Sequence, residues 1–154
     1  MDAPWTVRPA SPADSEAILA LEQACAEAPH WSPDVWQQIL SREEARQPAR
    51  VAFIAEGCSG ILGFAAVSCA AGAAELESIA VHPSARCQGI GKGLCHAVFD
   101  WARTAGAEVI ELEVRASSVA AYALYASLGF REQGRRRNYY RNPAEDAILM
   151  SAPL

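Results

Sequence analysis

The stretch from Ala74 to Gly93, AELESIAVHPSARCQGIGKG, constrains the fold more than any other part of the chain. Ile79-Ala80-Val81 ends a strand-like segment, His82-Pro83 stops it, and Gln88-Gly89-Ile90-Gly91-Lys92-Gly93 opens into an apolar run with helical spacing. The reading is strand, glycine-rich turn, helix. Such a junction aims several backbone N–H groups at one spot beside the positive end of a helix dipole, and glycines let a bulky anion reach the backbone. A diphosphate suits that spot. Neither common phosphate-loop pattern is present: there is no G-x-x-x-x-G-K-S/T, and the glycines at 89, 91 and 93 do not follow G-x-G-x-x-G. An ordinary turn before a core helix accounts for the same residues, so the rest of the chain has to decide.

A chain of 154 residues fits one domain, 1–154, with one sizeable core. The net charge of −5 gives no basic nucleic-acid footprint overall and biases the surface towards cationic partners, so direct nucleic-acid binding is not expected. The opening MDAPWTVRPA lacks a basic segment followed by an apolar one, and no apolar run approaches the roughly 20 residues that span a bilayer. A cytoplasmic protein without a membrane partner is expected. The five cysteines (25, 58, 69, 87, 95) are odd in number and contain no C-x-x-C pair, which argues against a disulfide framework and a zinc site. Most are expected to be small buried hydrophobes, with Cys87 in the glycine turn the exception. The three histidines have no metal-ligand spacing, and no metal is expected.

Along the chain, Thr6–Pro9 reads as a strand, and Ser11-Pro12-Ala13-Asp14 starts a helix whose buried stripe is Ile18, Leu21, Ala24 and Cys25. Ser32-Pro33 starts another, with Val35, Trp36, Ile39 and Leu40 as its apolar face. Between them lies the loop Glu27–Trp31, where His30 and Trp31 line a substrate entrance or Trp31 caps the core. Arg42–Arg50 reads as a connection. Val51–Ala55 and Ile61–Ser68 read as strands about a turn at Glu56–Gly60. After the glycine turn, Ile90, Leu94, Ala97, Val98 and Trp101 recur at helical spacing up to Gly106. Val109–Val114 is a strand. Ser117 or Ser118 caps a helix lined by Ala121, Leu124, Tyr125 and Leu128, and Phe130–Tyr140 and Ala147–Met150 close the chain as strands. Within the first of these, Arg135-Arg136-Arg137 reads as a solvated turn. The order β-α-α-β-β-β-α-β-α-β-β describes an α/β fold: one mixed, partly antiparallel sheet with about four helices around it.

Arg86-Cys87-Gln88-Gly89-Ile90-Gly91, preceded by a strand ending I-A-V-x-P, resembles the acetyl-CoA motif Gln/Arg-x-x-Gly-x-Gly/Ala of the GNAT superfamily of N-acetyltransferases. Glu111–Ser117 and Ala123–Phe130 resemble the L-E-V-R-x-S-N and A-L-Y-x-x-L-G-F of protein N-terminal acetyltransferases. Arg136-Arg137-Asn138-Tyr139-Tyr140 and Glu145–Met150 resemble the R-R-x-Y-Y and E-D-A-x-x-M tail of the bacterial ribosomal-protein-alanine subgroup, the RimI type. The resemblance covers Ala74–Met150; before Val51 it rests on element order and a P-x-W-S-like segment at Pro29–Ser32.

The resemblance implies a sheet whose two middle strands splay, with the pantetheine arm of acetyl-CoA lying in the gap like an added strand. It assigns backbone contacts with the acetyl and pantetheine groups to Ile79, Ala80 and Val81. Arg86, Cys87, Gln88, Gly89, Ile90, Gly91 and Lys92 fall to the diphosphate turn. Glu113 matches the family's general base and Tyr125 its general acid. Two positions depart from the pattern: Ser118 stands where the family has an asparagine that bonds the pantetheine, and Cys87 replaces a commonly basic residue. Some relatives take the base from the upstream strand, so Glu75 is the alternative. The implied substrate is a protein or peptide N-terminus, most specifically the N-terminal alanine of a small-subunit ribosomal protein.

The chemistry asks for these residue types. A peptide α-amine has a pKa of about 8, so a tenth or so is neutral at pH 7, and a carboxylate or an ordered water has only to take its proton as it attacks the thioester. A backbone N–H at the end of the Ile79 strand would hold the oxyanion and a phenol would protonate the departing thiolate. No covalent enzyme intermediate is needed. Other readings of the same residues stay open. Glu113 shares a strand face with Glu111 and Arg115, as a solvated charged face would, and Tyr125 lies on an apolar stripe, as a packing tyrosine would. Tyr139 and Tyr140 wall a peptide site or fill the core. A small-molecule amine acetyltransferase would carry the same machinery, and a non-catalytic acetyl-CoA-binding module would need the glycine turn but neither Glu113 nor Tyr125.

Overall fold

The computed structural model describes residues 4–41, 49–141 and 143–154. Within them the order is β1 (Trp5–Pro9), α1 (Ser15–Ala24), α2 (Pro33–Leu40), β2 (Ala49–Gly57), β3 (Gly60–Ala70), β4 (Ala73–Val81), α3 (Ile90–Thr104), β5 (Val109–Arg115), α4 (Val119–Ser127), β6 (Arg131–Tyr140) and β7 (Glu145–Pro153). This is the order expected from the pattern, and the seven strands form one sheet, β1-β2-β3-β4-β5-β7-β6. Only β4 and β5 pair in parallel, which requires the crossover that α3 supplies. β3, an apolar run, is buried on both faces, whereas the charged β6 ends the sheet and pairs only with β7.

Strand alternation sends side chains to two cores. Val51, Phe53, Ala65, Val67, Leu76, Ile110, Leu112 and Val114 face α3 and α4. Ala52, Ile54, Phe64, Ala66 and Ala80 face α1 and α2. The helix expected from Ser11-Pro12 opens as a 3-10 turn over Pro12–Asp14, and the α-helix begins at Ser15. There the Ser11 N–H donates to the Asp14 carboxylate at 2.8 Å, and the Arg8 guanidinium against the same carboxylate holds Asp14 below the usual carboxylate range.

Three expectations are corrected. Ala24 is exposed, and the position completing the α1 stripe is Glu22, fully buried with Oε1 accepting from Trp36 Nε1 at 3.3 Å. An indole N–H facing that position lets a carboxylate replace an apolar side chain. Cys58 lies exposed in the β2–β3 turn, so only Cys25, Cys69 and Cys95 are the buried hydrophobes expected. Arg135-Arg136-Arg137 lies inside β6 rather than in a turn. Of the connection expected at 42–50, residues 42–48 lie outside the described residues and Ala49 and Arg50 open β2. Trp31 caps the core, its ring 5.3 Å from that of Trp36.

Gly63 governs how α3 docks. A Cβ there would sit 2.9 Å from the Ala80 carbonyl oxygen and 3.2 Å from both Ile90 and Leu94, so the bare backbone lets the end of β4 and the first turn of α3 close on β3. Gly63→Ala is expected to lower stability by roughly 1–3 kcal/mol, the usual cost of overpacking. Chemical denaturation checks it; an unchanged midpoint would mean that this junction yields freely.

Candidate active site

The β4–β5 pair is short. Ala73, Ala74 and Glu75 pair with Val109, Ile110 and Glu111, and beyond them the strands separate. Two physical causes act at this fork. Val67 pairs with Leu76 and Ala66 with Ser78, so Glu77 is the extra residue of a β-bulge, which bends β4. Glu75 and Glu111 also face each other directly, with Glu77 and Glu113 next along their strands, and like charges across a pair oppose its closure. Burial, then Glu77, Glu113 and Glu111, raise the Glu75 carboxyl above its ordinary range. Arg50 relieves part of this repulsion by binding Glu77 at 2.9 Å.

The fork opens into a cleft of about 340 Å³. β4 contributes Leu76–Ile79 to its wall and β5 contributes Leu112–Arg115. α4 adds Ser118, Ala121 and Tyr125, the loop after α1 adds Glu27, Ala28 and Pro29, and Tyr140 comes from β6. Past Glu75, the edge of β4 that would pair with β5 has no strand beside it among the described residues.

Glu113 and Tyr125 both line this cleft. Leu112 and Val114 face α3, so Glu113 points to the other face, where Arg136 Nε approaches its Oε1 at 3.4 Å. The Glu113 carboxylate also raises the nearby Tyr139 phenol above its ordinary range. Tyr125 belongs to the α3 side. Its ring packs edge-on to Phe130 with centroids 5.7 Å apart, burial pushes its phenol up, and its hydroxyl has no hydrogen-bond partner among the described residues. Glu75 sits at the closed end of the fork and is not part of the cleft wall. Ser118 is the N-cap residue of α4, and its hydroxyl donates to Glu27 at 3.3 Å. Neither Tyr139 nor Tyr140 is core: Tyr139 is exposed and Tyr140 walls the cleft, with the Arg115 guanidinium 4.1 Å above its ring.

Between β4 and α3, Pro83–Ala85 forms a 3-10 turn and Arg86 Nε donates to the Val81 carbonyl at 3.3 Å. Cys87 and Gly89 then adopt positive φ, +64° and +80°, and Gly89 is the N-cap of α3. A left-handed pair of this kind turns successive N–H groups inward. Those of Cys87, Gln88, Gly89, Ile90, Gly91 and Lys92 meet no acceptor among the described residues. Orphan donors, a helix N-terminus and a bare β4 edge together fit a long ligand with a diphosphate at one end and amides along its arm, which is the make-up of coenzyme A.

Some of these residues could not have been found from their own neighbourhoods. Arg136 reaches Glu113 across β7, which is visible only once the order β5-β7-β6 is known. Ser78 gains its orientation from the bulge, and the loop Glu27–Pro29 joins the wall through packing. Among the described residues, no group of three or more His, Cys, Asp or Glu side chains could hold a metal ion, and no helix is long and apolar enough to cross a membrane.

Comparison with known proteins agrees with this architecture. The acetyltransferase (GNAT) family model matches residues 15–130. The ribosomal protein bS18-alanine N-acetyltransferase of Escherichia coli K12 is 47% identical over 83 residues, 53% of this chain and 56% of that protein. The N-alpha-acetyltransferase RimI of Mycobacterium tuberculosis H37Rv is 43% identical over 76 residues, 49% of this chain and 46% of that protein. The chain thus spans about half the length of the curated relatives it matches. The crystal structure of the ribosomal-protein-S18-alanine N-acetyltransferase from Escherichia coli superimposes with a TM-score of 0.80 at 34% identity, over 97% of this chain and 93% of that one. With the forked sheet, the glycine turn and these matches in agreement, the chain belongs to the GNAT family of acetyltransferases.

Proposed function

We propose that this protein transfers the acetyl group of acetyl-CoA to the α-amine at a protein N-terminus, and that the amine is an alanine at the start of a small-subunit ribosomal protein. The observation that carries the reading is the fork itself, which has a carboxylate, Glu113, on one face and a buried phenol, Tyr125, on the other. The likeness to ribosomal-protein-alanine acetyltransferases supports the choice of acceptor.

In this reading the diphosphate rests on the N–H groups of Cys87–Lys92, and the arm of the cofactor runs along β4 from Val81 past Ala80 to Ile79. Acetyl-CoA supplies the activated acyl group. The acceptor approaches from the face that carries Glu113. There the carboxylate, directly or through a water, takes the proton the amine sheds as its nitrogen attacks the carbonyl carbon. A β4 N–H stabilises the oxyanion, and the Tyr125 phenol, kept protonated by burial, gives its proton to the departing sulfur. The new amide leaves with the acceptor and the thiol with CoA. Cys95, whose thiol burial pushes up to about 12, and Cys87, in the diphosphate turn, have no nucleophilic part in this scheme.

Incubation with acetyl-CoA and a basic peptide beginning with alanine is expected to release CoA and add one acetyl group at the peptide N-terminus, read by mass spectrometry. Turnover of a polyamine or an aminoglycoside with none on any peptide N-terminus would replace this reading with a small-amine acetyltransferase. Tight cofactor binding with no transfer to any amine would replace it with a binding module.

A further inference from the structure

We propose that the Ser78 hydroxyl is the acceptor-recognition group of this cleft: it donates to the first carbonyl oxygen beyond the amine and so selects α-aminoacyl chains over amines that lack that carbonyl. The inference rests on the acetyl-transfer reading above and adds to it a specificity residue. Ser78 is only 7% exposed, and its Oγ has no hydrogen-bond partner among the described residues. A buried orphan hydroxyl is uncommon in a native protein and asks for a reason. Ser78 is one of the residues that line the cleft.

The register says which substrate it would meet. Ser78 pairs with Ala66, which together with Phe64 and Ala80 belongs to the α1–α2 side of the sheet, whereas Ile79 and Leu76 belong to the α3 side. The bulge at Glu77 produces this arrangement, since it shifts the alternation by one residue and turns Ser78 away from α3. Ser78 therefore shares its face with Glu113 and with the loop Glu27–Pro29, opposite the glycine turn and Tyr125. That is the acceptor's side.

Chemistry narrows the contact to a carbonyl. Glu27, Glu77 and Glu113, the carboxylates on this wall, accept hydrogen bonds and suit the amine. The other donors on the wall are committed or lie elsewhere. Ser118 donates to Glu27, Arg115 stacks on Tyr140 and pairs with Glu145, Tyr125 is on the opposite face, and Tyr140 stands across the cleft on β6. Ser78 is the solvent-shielded donor left over. In an α-aminoacyl group a carbonyl is attached to the carbon that bears the amine, whereas a lysine side chain or an alkyl amine has only methylenes there.

The test is a cycle of two changes, with melting of the free proteins as an independent readout. Acetylation of an alanyl peptide is compared with that of the same peptide carrying a trans-alkene in place of its first amide, for the unmodified protein and for Ser78→Ala. On the normal peptide, Ser78→Ala is expected to lower kcat/KM about five- to tenfold through the acceptor KM, as one lost hydrogen bond would, with the acetyl-CoA KM unchanged. On the alkene peptide it is expected to cost almost nothing more. Because the change removes an orphan hydroxyl, the melting temperature should hold or rise. Losses that multiply across the two changes, an unaltered acceptor KM, or a lowered melting temperature would each overturn the assignment. If the unmodified protein acetylates no peptide at all, the acetyl-transfer reading falls and takes this inference with it; activity on the peptide with an inert Ser78→Ala defeats the Ser78 assignment alone.

Discussion

Glu113→Gln is expected to lower kcat by roughly 10²- to 10⁴-fold, the range typical of a general acid–base group, and to leave acetyl-CoA affinity nearly unchanged. The substitution keeps the length and one acceptor oxygen of the side chain, and removes its capacity to take a proton. Raising the pH should restore part of the rate. The α-amine has a pKa of about 8, so above it most of the acceptor is already neutral and the base is dispensable. The measurement is a pH profile of kcat for both proteins, whose ratio should shrink steadily between pH 7 and 9. The ion pair with Arg136 also loses its charged partner, but the arginine end is exposed and a pair of this kind contributes little to stability. Near-normal activity in Glu113→Gln together with a collapse in Glu75→Gln would move the base to β4. Glu75 sits outside the cleft wall, so such an outcome would also require the fork to open further when the acceptor binds.

Tyr125→Phe should cost a rate factor of similar size, on the order of 10² or more, and the loss should resist high pH. The group removed is the proton donor to a thiolate, and alkaline solution makes protons scarcer rather than supplying one. Burial raises the Tyr125 phenol, so it keeps its proton throughout the working range and no ionisation of its own appears there. Stability separates this role from packing. The ring stays against Phe130 in the variant, and the hydroxyl that disappears has no partner among the described residues, so the melting temperature should be unchanged. A large fall in melting temperature with kcat intact would make Tyr125 a core residue and nothing more.

Local chemistry made much of this protein legible before folding was considered. The order of strands and helices follows from hydrophobic period, proline and glycine, all of which act within a few residues. The glycine turn is local for the same reason: Gly89 takes the left-handed backbone that starts α3, and the donors around it are consecutive N–H groups of one segment. Glu113 and Tyr125 were marked by their place in a family pattern, since on periodicity alone they read as a solvated carboxylate and a packing tyrosine.

Tertiary structure decided what depends on residues far apart in the chain. Glu22 is buried because the Trp36 indole from the next helix meets it, and Ala24 is left outside although an apolar residue there completes a stripe on paper. Arg136 meets Glu113 only because β7 returns between β5 and β6, so a run of three arginines that reads as a solvated turn becomes part of the wall around a carboxylate. The cleft follows from one extra residue, Glu77, and from carboxylates on two strands that pair over a short length and then repel. Sequence determined which residues stand on each strand. The bulge and the balance of pairing against repulsion determined where the strands part and which side chains face the gap, because those energies exist only once β3, β4 and β5 lie side by side.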